Sequence, residues 1–212
     1  MSSYYPIFLD LKGKRCIVVG GGSVAERKVE MLLEHETSVT VISPELSQKL
    51  QHLADQGAIK TITRNYQKGD LKGAFLVIAA TDDPSVNAAV AGQARKQRAL
   101  VNVVDDPRAS DFIVPSMVRR GDITIAISTA GKSPALARKL RSLLEATLPA
   151  EYASLASLVS EVRQELAQRQ SSVNSDVWQR CLNIDILIDM IKKGQLKKAR
   201  QKLLNDLLAA GS

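Results

Sequence analysis

The segment Arg15-Cys-Ile-Val-Val-Gly-Gly-Gly-Ser-Val-Ala-Glu-Arg-Lys28 passes from an apolar run through a tight glycine turn into a helix-forming sequence without a gap. Such a stretch reads as a strand, turn and helix of the dinucleotide-binding kind. Gly20, Gly22 and Ala25 fill a G-x-G-x-x-A pattern, and each small residue has a mechanical reason for its place. Gly20 permits the sharp turn, Gly22 lets a pyrophosphate approach the backbone, and Ala25 lets the helix pack close to the strand. The free N–H groups and positive dipole end of a helix starting near Ser23 then face the phosphates.

Strand and helix signals alternate after this turn. The pattern predicts a helix over 24–34, a strand over 38–42, a helix over 46–56, and strands over 59–63 and 75–79. Asp83 and Pro84 supply a cap and a first helical residue for a helix ending near 96, and 100–104 is a further strand. Strands separated by helices of this length imply a parallel sheet wound on both faces. After Asp105-Asp-Pro107 the pattern changes: 112–119 and 123–128 flank Arg120-Gly-Asp122 and predict an antiparallel hairpin. Ser133-Pro134 opens a helix over 135–147, and three amphipathic helices are expected near 150–169, 176–192 and 195–209. The expected class is α/β: a Rossmann-like domain over 1–112, a hairpin and helix region over 113–148, and a helical domain over 149–212.

Bulk properties narrow the function classes. No apolar run approaches the ~20 residues that span a bilayer. The start, Met-Ser-Ser-Tyr-Tyr-Pro, lacks the basic region and hydrophobic stretch of a signal peptide, so a cytoplasmic protein without a membrane is expected. Cys16 and Cys181 are far apart, and Cys16 falls inside a predicted strand, where it reads as a small buried apolar residue. His35 and His52 leave little material for a protein-made metal site, so none is expected. Residues 111–212 carry 15 basic and 10 acidic residues out of a net charge of +7, which tilts that half toward an anionic partner. Nucleic acid is disfavoured, because few large aromatics accompany those charges and the basic tail over 192–200 reads as the wet face of a helix. A polycarboxylate small molecule fits at least as well.

An ordinary NAD-binding domain places an acidic residue at the end of the second strand; here Ser43-Pro44 stands there, with Glu45 slightly late and no arginine nearby. The sequence leans toward NAD over NADP. Tyr5-Pro-Ile-Phe-Leu-Asp-Leu11, the glycine turn, Ala79-Ala-Thr-Asp-Asp83, Asn102-Val-Val-Asp105, Phe112-Ile-Val-Pro-Ser116 and Gly131-Lys-Ser-Pro134 occur in order along most of the chain. Together they resemble the NAD-dependent precorrin-2 dehydrogenases and sirohydrochlorin ferrochelatases that make sirohaem. The fused methyltransferase domain of some relatives is expected to be absent, since the sequence stops at Ser212.

This resemblance implies oxidation of precorrin-2 to sirohydrochlorin with NAD, then insertion of ferrous iron, as substrate, to give sirohaem. Asp105 matches the family's catalytic aspartate, with Asp106 ranked second; turn and cap chemistry before Pro107 is the structural alternative. Cofactor contacts are expected from Gly20, Gly21, Gly22, Ser23, Val24, Ser43, Pro44, Glu45, Ala80, Thr81, Asp82, Asn102 and Val103. By charge and nearness to the hairpin, Arg119, Arg120, Lys132, Arg138 and Arg141 are candidates for the substrate's carboxylates, with Ser128, Thr129 and Ser133 supplying hydroxyls. The final helices resemble the family's dimerisation region, so a homodimer is expected. Two other readings stand beside this one: a dehydrogenase without chelatase activity, and an NAD-responsive regulatory module.

Overall fold

The computed structural model describes residues 4–211; the opening Met-Ser-Ser, on which part of the leader reading rests, lies outside the described residues. Two compact units divide the chain, one ending at Val114 and the other beginning at Pro115.

In the first unit, β1 (Arg15–Val19), α1 (Ser23–Leu33), β2 (Ser38–Ile42), α2 (Gln48–Asp55), β3 (Lys60–Ile62), β4 (Leu76–Ala79), α3 (Pro84–Lys96) and β5 (Leu100–Val103) follow in turn. Each lies within two residues of its expected bounds. All five strands are parallel, in the order β3-β2-β1-β4-β5. Because helices cover both faces, the strands are apolar on both sides rather than alternating. Along β1, Ile17 and Val19 enter one core with Val90 and Ala91 of α3, while Cys16 and Val18 enter the other with Ala25 and Val29 of α1. Cys16 is fully buried, and that burial pushes its thiol pKa up to about 11, which suits a packing residue.

The chain reverses direction in the sheet between β1, which leads outward to β2, and β4, which leads to β5. Strand ends diverge at such a switch point and leave a crevice beyond their carboxyl termini.

In the second unit, β6 (Ser116–Arg120) pairs antiparallel with β7 (Ile123–Ile127) through the two-residue turn Gly121-Asp122. Gly121 has φ +56°, and a Cβ there would lie 3.0 Å from that of Ala153. β6 starts later than the expected 112, because Phe112 packs in the first unit's core and its carbonyl accepts from Asn102 Nδ2 at 3.0 Å. α4 (Pro134–Thr147), capped by Ser133, and α5 (Glu151–Gln168) follow. The single helix expected over 176–192 is instead α6 (Ser175–Cys181) and α7 (Ile184–Lys192). Asn183 breaks it, its side chain accepting from Ile186 N at 3.2 Å and so starting a new helix in place of continuing the old one. α8 (Leu196–Gly211) closes the bundle, whose core joins Leu158, Val162, Leu187, Leu203 and Leu207. Hairpin, α4 and the later helices group as one unit, with α5 against both strands.

Candidate functional site

The crevice at the strand ends is a cleft of about 900 Å³, built within the first unit from the segments that follow each of the five strands. Three of its walls meet at the glycine turn. Gly20 has φ +122°, and a Cβ on it would run into the Ala80 carbonyl; a Cβ on Gly21 would run into the Glu45 carbonyl and the Ser43 side chain. The turn is therefore pressed between the β4 and β2 loops. Gly22, by contrast, has open space where a Cβ would stand. It caps α1 with no side-chain hydrogen bond, so the first amides of α1, at Ser23 and Val24 on the cleft wall, are not claimed by a capping side chain. That is the chemistry that accepts a phosphate.

The β2 wall consists of Ser43, Pro44, Glu45, Leu46 and Ser47. Ser47 N donates to Gly21 O at 2.8 Å, and its hydroxyl donates to Glu26 Oε2 at 2.7 Å while capping α2, which ties this wall to the glycine turn and to α1. Ser43 is buried and Glu45 is exposed at the rim. Among the described residues, no lysine or arginine lines the cleft.

The β4 wall, Ala80 to Asp83, is locked by the buried Asn87 of α3. Thr81 donates its hydroxyl to Asn87 Oδ1 at 2.8 Å and its amide to the same oxygen at 3.2 Å, and Asn87 Nδ2 returns a bond to Thr81 O at 2.9 Å. Asp83 caps α3, and the Ser85 hydroxyl and amide that it accepts hold its carboxyl below the ordinary range. Asn65 and Tyr66, beyond β3, supply a wall that the sequence did not reveal. Their loop is tied by Arg64, which donates both terminal nitrogens to Asp70 at 2.8 Å, and Tyr66 donates its hydroxyl to Gln93. The only short-range sequence signal for that wall is the acid–base pair itself.

The β5 wall holds Val104 and Asp105. Asp105 is exposed, with φ +60°, an uncommon backbone state for a residue with a side chain. Cap chemistry belongs to its neighbour, since Asp106 Oδ1 accepts from Arg108 N and Ala109 N, both at 3.0 Å. Lys28 of α1 is half-buried; burial chiefly lowers its ammonium pKa, Arg27 adds to the effect, and the Asp105 charge opposes it. Asn102 and Val103, expected as cofactor contacts, are buried beneath the cleft and do not line it. The other expected contacts, from Gly20 to Asp82, all line it.

The basic candidates lie in the second unit. The Arg120 guanidinium is committed to structure: it donates to Leu148 O at 2.7 Å, Glu145 O at 3.0 Å and Arg119 O at 2.9 Å, closing the end of α4. Arg141 pairs with Glu145 at 3.6 Å, and Arg119 donates to Gly121 O at 3.3 Å. Ser128, Thr129 and Ser133 shape the turn before α4: Ser128 accepts from Ala130 N, Thr129 from Ser133 N, both at 3.0 Å, and Ser133 from Leu136 N at 3.2 Å. Among the described residues no group of three or more His, Cys, Asp or Glu is placed to hold a metal, and no helix is long and apolar enough to cross a membrane.

A five-stranded parallel sheet, a glycine turn pressed on both neighbours and an uncapped helix start define a dinucleotide-binding protein, and residues 7–116 match the family described as "Putative NAD(P)-binding". Residues 120–147 match "Sirohaem biosynthesis protein central". The chain is 40% identical over 204 residues to a siroheme synthase of Photobacterium profundum, covering 95% of this chain and 43% of that one. It is 41% identical over 202 residues to a siroheme synthase of Nitrosococcus oceani, covering 94% and 43%. The chain thus spans well under half the length of these curated relatives. Among solved structures it is similar to SirC, a precorrin-2 dehydrogenase, with TM-score 0.75 and 25% identity over 94% of this chain and 98% of that one. The chain belongs to the family of sirohaem synthase N-terminal modules.

Proposed function

We propose that the chain oxidises precorrin-2 to sirohydrochlorin with NAD and then inserts ferrous iron into the product to give sirohaem. The observation that carries this reading is the position of Asp105: a carboxylate on the wall of a phosphate-accepting cleft, at the carboxyl end of a parallel strand. Bound NAD supplies the hydride acceptor. The chain's own residues do the rest: the Ser23 and Val24 amides bind the pyrophosphate, the Ser43–Glu45 wall and Thr81 orient the nucleotide, and Asp105 accepts the proton released as the ring loses hydride. In the second reaction the substrate's ring nitrogens take up the iron and release two protons, which the solvent-exposed Asp105 carboxylate accepts one at a time and passes to water. With no basic residue on the cleft wall, a 2′-phosphate would find no counter-charge, which favours NAD over NADP.

Arg119, Lys132, Arg138 and Arg141 are proposed as contacts for the substrate's carboxylates, whereas Arg120 serves α4. The protein works as a homodimer in this reading. Leu136, Leu140 and Leu143 stand 51%, 37% and 53% exposed at helical spacing on α4, an apolar stripe that a second copy would cover.

The test is spectrophotometric. Precorrin-2 and NAD with purified protein should give sirohydrochlorin and NADH in equal amounts, and added ferrous iron should then give sirohaem faster than without protein. Asp105→Ala should lose both rates while retaining its affinity for NAD. A second reading, dehydrogenation alone, draws on the likeness over 94% of this chain to SirC, a precorrin-2 dehydrogenase. It predicts NADH formation with no protein-dependent metal insertion.

A further inference from the structure

Asp105 does not hold its position unaided. It occupies the left-handed region at φ +60°, which a residue with a side chain adopts only where its surroundings over-determine it. Those surroundings are a short loop folded back on β5. Val103 and Asp106 form an isolated bridge across Asp105, with Asp106 N donating to Val103 O at 3.2 Å. One side chain clasps both ends of that bridge: Ser110 Oγ accepts from Val103 N at 2.9 Å, donates to Asp106 O at 2.8 Å, and lies 3.2 Å from Val103 O. The residues on either side of Asp105 thus meet at a single hydroxyl.

Besides the turn in which Asp106 Oδ1 accepts from Arg108 N and Ala109 N, two further bonds fasten the loop from outside. Asp111 Oδ2 accepts from Val101 N at 3.0 Å, and Arg95 of α3 donates to Ala109 O at 2.6 Å. These hold Ser110 against the strand; neither reaches the bridge.

We infer that Ser110 is the positioning residue for Asp105, setting the backbone state that presents the carboxylate to the cleft. Alanine at 110 removes the acceptor for Val103 N and the donor to Asp106 O together, leaving Asp105 free to relax out of the left-handed region. The carboxylate keeps its chemistry but spends less time on target. Threonine at 110 keeps the hydroxyl and so keeps the clasp.

This inference rests on the proposed role of Asp105, and the experiment separates the two. Ser110→Ala should lower kcat for precorrin-2 oxidation by roughly tenfold or more. KM, the NAD dissociation constant by calorimetry and the shape of the pH profile should stay as in the parent. Ser110→Thr should restore most of the lost rate. A merely structural serine would instead weaken NAD binding and raise KM along with the loss of kcat, and threonine would not restore the rate selectively. If Asp105→Ala keeps the parent rate, the base assignment itself fails. If Asp105→Ala is inactive and Ser110→Ala turns over at the parent rate, only the positioning role is overturned.

Discussion

Three neighbouring glycines in the turn carry three different burdens. Gly21 faces the Glu45 carbonyl and the Ser43 side chain, so Gly21→Ala should destabilise the fold by about 1–3 kcal/mol through overpacking, seen as a lower denaturant midpoint. Gly22 has φ −82° and open space, so Gly22→Ala should fold with nearly parental stability yet bind NAD roughly tenfold more weakly in calorimetry, because its Cβ occupies the phosphate's approach. The sharp turn at Gly20 and the open space at Gly22 were legible from spacing alone. That of Gly21 was not, because spacing does not show which backbone crosses behind a turn. The carboxylates divide in a similar way: Asp106 takes the cap chemistry open to either member of the pair, and Asp105 is left facing the cleft. A third carboxylate predicts a pH dependence. The Arg64 guanidinium chiefly holds the Asp70 pKa below its ordinary 3.8. A depressed folded value adds stability above the ordinary pKa and loses it as pH falls through the folded one. Thermal melting from about pH 5 down to about pH 2 should therefore be steeper for the parent than for Asp70→Asn. Equal slopes would show that the pair contributes no net stability.

At the scale of elements, the parallel sheet was legible because continuous apolar strands separated by helices admit few other arrangements. Two features were not. The Asn65–Tyr66 wall depends on Arg64 meeting Asp70 and on Tyr66 meeting Gln93, contacts that no periodicity encodes. The break between α6 and α7 depends on one asparagine choosing to cap, although the leucine and isoleucine spacing runs through it. Asn183→Ala removes that cap and should cost about 1 kcal/mol in chemical denaturation. An unchanged midpoint would mean that packing in the bundle, and not the cap, starts α7.

For the whole molecule, the basic excess of the second half pointed to an anionic partner but could not assign each charge. Arg120 shows why: its donors are spent on α4, a use that depends on a neighbour 25 residues or more along the chain. Dimerisation is also tested at this scale. Leu140→Asp places a charge within the exposed α4 stripe, and burial of each such leucine is worth about 1.5–3 kcal/mol. Sedimentation should show the parent as a dimer and the variant as a monomer; a parent that sediments as a monomer would remove the second copy from the account. In the proposed reaction the cleft joins a dinucleotide to precorrin-2 through Asp105. The decisive experiment follows the rise of NADH absorbance when precorrin-2 is added to the protein with NAD, for the parent and for Asp105→Asn side by side. NADH and sirohydrochlorin are expected in equal amounts from the parent, with no rate above background from a variant that still binds NAD. Absence of NADH from the folded, NAD-binding parent, or parental turnover by the variant, would contradict it.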